Sequence, residues 1–501
     1  MKYLYDYDIG GDKIFGANIS GFIQSEKGVG SAARLTVKCF QSAEIPFVLN
    51  NFTDKHSLNC VKEFNDFHQA NPFLFNLIHI GPDTLQNFII EKTKSYFKGH
   101  YNIVYWNWEL SEFPELYYHL FNYVDEVWVP SNFILNSISP VSPVPVVRMP
   151  YCVGGGPLFY VNKNKPVSRT GHITPESTLN PALTPASKTM SSIRENLGLF
   201  DDDYIYLFIF DFESYAERKN PAGLINAFKQ AFDIKDRAFL IIKCSHTEMH
   251  KNDFEKIKKL SEKSRIKIID SVLTAGEMSS ITDAADCYVS LHRSEGFGLT
   301  IAELMAKGKP VIATGYSGNM DFMTAYNSYP VKYNMIEINK DCGCYKKGNV
   351  WAEPDISDAA RLMRYVYEHK DEALLVGLTA AGDIKKRFNE LAVGKLIGRR
   401  LNIIADNLKS KGLISTSYND NDNNSSSNNN SNFYDKNQIL FSDIYNSNEW
   451  KLFIACRETA NYILPDKSKR RRTAKFIFNG FYKLYKIVMK ILQKKINNDT
   501  I

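Results

Sequence analysis

Residues 291–322 read LHRSEGFGLTIAELMAKGKPVIATGYSGNMDF. A strand ending near Leu291 feeds a loop holding Glu295, Gly296, Phe297 and Gly298, and a helix is predicted from Leu299 and Thr300 onward. The helix carries Glu303 in its first turns and gives way to a second strand, PVIAT. Strand, loop, helix and strand in that order form one unit of a parallel α/β sheet. Gly296 and Gly298 let backbone amides come close to a phosphate, and the helix start favours an anion. Glu295 and Glu303 can reach the same bound ligand from two directions and accept hydrogen bonds from its hydroxyls. Spacing alone equally allows a solvated loop carboxylate and an ordinary amphipathic helix.

The same alternation extends outward on both sides. YIYLFIF, AFLIIKC, IKIID and CYVSL are predicted strands separated by helices such as PAGLINAFKQAF, giving one doubly wound unit over 195–375. NISGF, PFVLNNF, FNLIHI, YNIVYWNW, EVWVP and VPVVRMP give another over 14–155. The fold class is therefore α/β, with two Rossmann-like domains facing across a cleft. Ligands of such sheets bind beyond the strand C-terminal ends. Between the units, 161–192 is rich in Pro, Ser, Thr and Asn and is expected to be a flexible insertion or linker. Helical segments over 376–408 are expected to pack on the body. Residues 419–432 contain only Asn, Asp and Ser, a composition that cannot supply a core and predicts disorder.

Other candidates lie at predicted strand ends. In GFIQSEKGVGSAAR, Gly28 and Gly30 precede a helix and form a candidate anion nest beside Ser31, or an ordinary tight turn. His79 ends NLIH, where it either meets a ligand or is a satisfied structural histidine. Glu109 follows YNIVYWNW, whose Trp106 and Trp108 are either stacking surfaces or packed core. Arg218 and Lys219 precede Asn-Pro, and His292, Arg293 and Asn319 flank the 295–303 segment, where they orient a ligand or hold the loops. His246 and His250 stand four residues apart but lack the third ligand of a metal site, so no metal is assigned.

The EGFG loop, the second glutamate, GKPVIAT and YSGN together resemble retaining glycosyltransferase family 4, the glycosyl transferases group 1, over roughly Asn18 to Leu401. That resemblance implies the two-domain GT-B architecture and a nucleotide-sugar donor of UDP or GDP type. It further implies retention of anomeric configuration and no required cofactor or metal. Glu303 is then expected at the nucleotide ribose, Glu295 at the donor sugar, and Lys219 with Arg218 at the diphosphate. The glycine loop of Gly28 and Gly30 closes over the phosphates, with Gly296, Phe297, Gly298, Leu299, Thr300 and Asn319 around the donor. Glu109 and His79 face the acceptor or the reacting sugar. The family's usual arginine, several residues before the lysine, is replaced here by Glu213 and Ser214. The implied function is transfer of a hexose to a glycan or lipid-linked acceptor in surface polysaccharide assembly. Fold does not fix reaction, so a phosphorylase or epimerase and a non-catalytic carbohydrate-binding protein are the alternatives.

Charge divides the chain unevenly. Residues 467–495 hold eleven Lys or Arg and no acid, whereas the whole chain carries a formal +6, leaving the rest near −5. A mildly acidic body argues against nucleic-acid binding. Within 440–501, Ile477, Phe481, Leu484, Val488 and Ile491 form an apolar helical stripe among lysines, which predicts contact with an anionic membrane surface, against docking on the body. The N-terminal residues lack a basic start followed by an apolar run, and scattered cysteines suit a reducing compartment. A cytoplasmic protein, peripheral on the inner membrane face, is expected. The sequence leaves oligomeric state open.

Overall fold

The computed structural model describes residues 14–53, 57, 59–154, 194, 198–200 and 202–414. The expected linker at 161–192, the run at 419–432 and the tail at 440–501 lie outside them.

The first domain is a six-stranded sheet of β1 (Ile14–Gly21), β2 (Phe47–Asn51), β3 (Phe73–His79), β4 (Tyr101–Tyr105), β5 (Glu126–Val129) and β6 (Val146–Arg148). Its order is β2-β1-β3-β4-β5-β6, with every pairing parallel. Three asparagines fix the register at its centre. Asn18 donates to Asn76 Oδ1 at 3.0 Å, and Asn76 donates to Asn102 Oδ1 at 2.9 Å. All three are buried, so a slip by one residue would strand amides in the core.

The second domain repeats the plan with β7 (Tyr204–Ile209), β8 (Ala238–Cys244), β9 (Ile266–Asp270), β10 (Cys287–Ser290), β11 (Val311–Thr314) and β12 (Tyr329–Val331). The order β12-β11-β10-β7-β8-β9 is again wholly parallel. Both faces of such a sheet are covered, which is why YIYLFI and VIAT are continuous buried runs without polar alternation. An antiparallel pair, β13 (Tyr333–Glu337) and β14 (Val350–Pro354), is inserted after β12; no strand signal marks it in the sequence.

The chain then returns to where it began. The helix Lys370–Phe388 packs on the helix Leu299–Ala306 and runs through residue 375. The next helix, Glu390–Ser410, lies against the first domain's Gly28–Ser42. The expected terminal helices thus join one domain to the other.

Candidate active site

In each sheet the strand order reverses once near the middle, at β1/β3 and at β7/β10. Open parallel sheets leave a crevice at such a point, outside the strand C-terminal ends. The two crevices face a common cavity of about 1290 Å³, reached by Phe22 after β1, Gly81 after β3, Phe210 after β7 and Ser290 at the end of β10.

Two helices begin in this cavity, one from each domain. Gly28–Ser42 starts at Gly28, Val29 and Ser31, and Leu299–Ala306 at Leu299 and Thr300, all of which line the wall. Among the described residues, neither has a side chain capping its first turn. Their first amides are donors aimed at one space, a pattern suited to an anion. Gly298 makes the second start possible: its φ of +88° lies in the left-handed region that a side chain disfavours.

Lys219 extends into the cavity from the short helix Ala216–Lys219, whose flanking Tyr215 and Asn220 both have positive φ. Its Nζ lies 2.5 Å from Glu295 Oε1. Arg218, buried beside it, donates to the Ser294 carbonyl at 2.8 Å and stands 3.5 Å from Glu295 Oε2. Burial alone would push the Glu295 carboxyl up, but Lys219, Arg218 and His292 outweigh it and hold it at about 2. The loop is pinned as well: Ser317 Oγ meets Glu295 N at 2.8 Å, and Ser131 of the first domain donates to the Gly296 carbonyl at 2.6 Å.

Glu303 has the opposite environment. It lines the cavity, no described group hydrogen-bonds its carboxylate, and burial raises its pKa to about 7 against a small opposing effect of Lys307. A neutral or lightly charged carboxyl of this kind can exchange hydrogen bonds with a ligand's hydroxyls. The two glutamates thus differ in charge state because one has cations beside it and the other does not.

Glu109 lines the opposite wall and accepts from the Tyr345 hydroxyl at 2.9 Å. Tyr345 stands between β13 and β14, packed against Trp108 and Tyr215, with the Arg218 guanidinium over its ring. Lys27 pairs with Glu213 at 2.6 Å, and His246 bridges Asp211 at 2.8 Å and Glu26 at 3.7 Å. These two contacts tie the first domain's glycine loop to the loops after β7 and β8. The acidic Glu213 is thereby matched by a cation from the facing domain.

Glu295, Glu303, Lys219, Glu109, Gly28 and Gly296 to Thr300 therefore share one cavity. Arg218, His79, Gly30 and Asn319 do not line it. His79 is buried and stacked on Tyr105 at 4.6 Å, with Nε2 lacking a partner among the described residues; burial lowers its pKa to about 3 and keeps it neutral. Gly30 packs under its own loop, where a Cβ would come 2.3 Å from the Ser25 carbonyl oxygen. Asn319 donates to the Thr314 carbonyl at 2.9 Å and meets His292 Nε2 at 3.1 Å, holding the loop from behind. Arg293 forks onto Glu353 at 2.6 and 3.0 Å. Trp106 is core, stacked on Phe113, and Trp108 is also buried. Tyr345 and Lys243 were not found by sequence reasoning. The only signal for Lys243 is a single cation inside the apolar run AFLIIKC.

Residues 190–373 match the family model of glycosyl transferases group 1. The chain carries a group 1 glycosyltransferase domain. Its cavity-lining Lys219, Glu295 and Glu303 all fall within the matched segment. A stretch of 139 residues is 29% identical to trehalose synthase from Thermococcus litoralis, covering 27% of this chain and 28% of that protein. Trehalose synthase from Pyrococcus furiosus matches to the same extent, so the chain spans just over a quarter of the length of these curated relatives. Among solved structures, sucrose-phosphate synthase from Thermosynechococcus elongatus superposes with a TM-score of 0.55 at 14% identity, covering 79% of this chain and 100% of that one. Anabaena HepE in complex with UDP and glucose gives 0.51 at 14% identity, covering 78% and 100%. At such identities the likeness speaks for the fold, and the glycosyltransferase domain here is the second half of a GT-B architecture.

Proposed function

We propose that this chain is a retaining glycosyltransferase that moves a hexose from a UDP- or GDP-type nucleotide-sugar to a glycan or glycolipid acceptor, in surface polysaccharide assembly. The observation that carries the donor reading is the pair of uncapped helix starts, one from each domain, opening on the cavity that holds Lys219. A diphosphate supplies the charge and acceptor oxygens that these amides lack. The ligands in the Anabaena HepE complex, UDP and glucose, agree with that chemistry.

In this reading the diphosphate lies against Lys219 and the Gly296–Thr300 segment, which stabilise charge building on the leaving nucleotide. Glu303 takes the ribose hydroxyls. Glu295, kept ionised by its cations, holds the donor sugar and is not assigned as a nucleophile. Arg218 acts through Glu295 and the Ser294 carbonyl rather than on the diphosphate directly. Glu109 faces the acceptor side. Closure of the two domains over the donor would exclude water that otherwise hydrolyses it. Retention rests on the resemblance of the two-glutamate segment.

Incubation of purified protein with a panel of nucleotide-sugars and glycan acceptors, read by mass spectrometry, tests the activity. NMR of the product's anomeric centre tests retention, and an inverted product overturns it. Donor consumption without acceptor would favour an epimerase or hydrolase. A peripheral membrane position through 467–495 is part of the proposal: no described helix is long and apolar enough to cross a membrane, and the eleven cations there suit anionic lipid. Cosedimentation with anionic vesicles, compared with a truncation ending at residue 440, decides it. Equal sedimentation of the two proteins at low salt overturns it.

A further inference from the structure

Lys243 is the penultimate residue of β8, paired in register with Ile209 on one side and Ile269 on the other. It is 7% exposed and lines the cavity. Its ammonium makes no hydrogen bond or ion pair within the described residues. The two carboxylates that act on it from nearby are engaged elsewhere. Asp211 takes His246 at 2.8 Å and the Glu213 amide at 2.9 Å, and Asp270 takes Thr247 at 2.6 Å. A cation this enclosed without a partner is costly unless a ligand supplies one.

The surroundings say which part of a ligand that is. In the order β10-β7-β8, Lys243 lies two strands away from the end of β10, where the loop to the uncapped helix starts. At about 4.8 Å per strand, that separates it from the start of that loop by roughly 10 Å. The cavity lining that follows β7, β8 and β9 includes the apolar Phe210, Val272, Leu273 and Met278 beside the polar Asp211, Ser245 and His246. An apolar surface beside a cationic donor whose neighbouring carboxylates are already engaged suits a planar heteroaromatic ring with an acceptor on its edge better than it suits a phosphate.

We infer that Lys243 selects the nucleobase of the donor, donating to a ring carbonyl oxygen and so favouring oxo bases, uracil or guanine, over their amino counterparts. An ammonium offers only donors, so an exocyclic amine at the same place leaves both groups unpaired. Sites built to pair a specific polar group reject the analogue without it far more strongly than sites that judge size. This inference rests on the nucleotide-sugar reading of the cavity.

The test uses two pairs that differ by oxo against amino, UDP with CDP and IDP with ADP, the IDP base carrying guanine's oxo edge without its 2-amino group. Calorimetric affinities are measured for the full chain, Lys243→Met and Lys243→Arg, with inorganic pyrophosphate as a probe of the phosphate subsite. The wild type should prefer the oxo member of the pair it binds by tenfold or more. Lys243→Met should bring that ratio close to one and leave pyrophosphate affinity within twofold, while Lys243→Arg should keep part of the preference. Lys243→Gln serves as a second uncharged variant, with circular dichroism confirming the fold. Equal losses for UDP and pyrophosphate would move the lysine to the phosphates and overturn the inference, as would an unchanged ratio in both uncharged variants. A wild type that binds none of the four nucleotides overturns the functional reading together with this one. A wild type that binds them without preference overturns this one alone.

Discussion

The Tyr345 hydroxyl donates to Glu109 Oε2 at 2.9 Å, so a side chain inserted in the second domain holds a carboxylate on the first domain's wall of the cleft. The ring is itself clamped among Trp108, Tyr215 and Arg218, which leaves the hydroxyl little freedom. Tyr345→Phe removes the donor and keeps the packing. A hydrogen bond to a charged group contributes roughly 1.5–3 kcal/mol, so turnover should fall by about tenfold or more. If Glu109 serves the acceptor side, the donor KM should stay within twofold while kcat falls; a loss confined to thermal stability would reduce Tyr345 to packing.

Lys219 and Glu295 form the second decisive contact, at 2.5 Å. Lys219→Ala removes the cation beside Glu295 and, in the proposed reading, the one that faces the diphosphate. A loss of roughly 10²-fold in kcat/KM, about 2.7 kcal/mol, is expected, and a similar loss for Glu295→Gln. Because the two act as a unit, the double variant should lose much less than the product of the single losses. Steady-state kinetics on the four proteins measures this coupling, and simple multiplication of the effects would show that the two residues serve separate steps.

Glu303 predicts a pH dependence of stability. Its folded pKa is raised to about 7 from an ordinary 4.5 by burial. The neutral form is favoured in the fold, so this stabilisation is complete below about pH 4.5 and is lost as pH rises through 7. Glu303→Gln stays neutral throughout. The variant should therefore match the wild type near pH 4, gain relative stability between pH 4.5 and 7, and hold that gain above 7. Denaturant unfolding at several pH values measures it, and a difference independent of pH would contradict the assignment.

The parts legible in the sequence are those whose signal is local. Strands such as YIYLFI are buried on both faces and stand out as apolar runs, and the loop and helix at 295–303 carry their two carboxylates within one short segment. β13 escaped because all five of its residues are exposed, so no alternation of buried and exposed positions reaches the sequence. Tyr345 depends on that insertion and on a contact 236 positions away in the chain. His79 stands at a strand end, as a ligand contact would, yet the neighbouring strand supplies Tyr105 as a stacking partner and turns the ring into the core. The charge states of the two glutamates follow from the burial of both and from Lys219 and Arg218 beside Glu295 alone, an arrangement that only the folded chain sets.

The return of the helix Glu390–Ser410 to the first domain gives the final prediction. Arg400 donates to both oxygens of Glu126 at 2.9 and 2.5 Å, and Glu126, at the start of β5, is fully buried. Trp128 Nε1 at 2.7 Å and the Tyr101 hydroxyl at 3.2 Å complete the carboxylate's shell. Arg400→Met keeps the apolar stem but leaves a buried carboxylate without its cation. Breaking one side of a buried pair costs about 3–5 kcal/mol, whereas replacing both partners by apolar residues of similar volume is often neutral. Arg400→Met should thus unfold at markedly lower denaturant, and Glu126→Met combined with Arg400→Met should recover part of the loss, short of the full amount because Trp128 and Tyr101 then lose their acceptor. Since the same helix joins the domains, turnover in Arg400→Met should fall even where the protein remains folded. Denaturant midpoints and activity measured on the two variants test both points, and a double variant less stable than Arg400→Met would show that the carboxylate's other donors, rather than the pair, hold this junction.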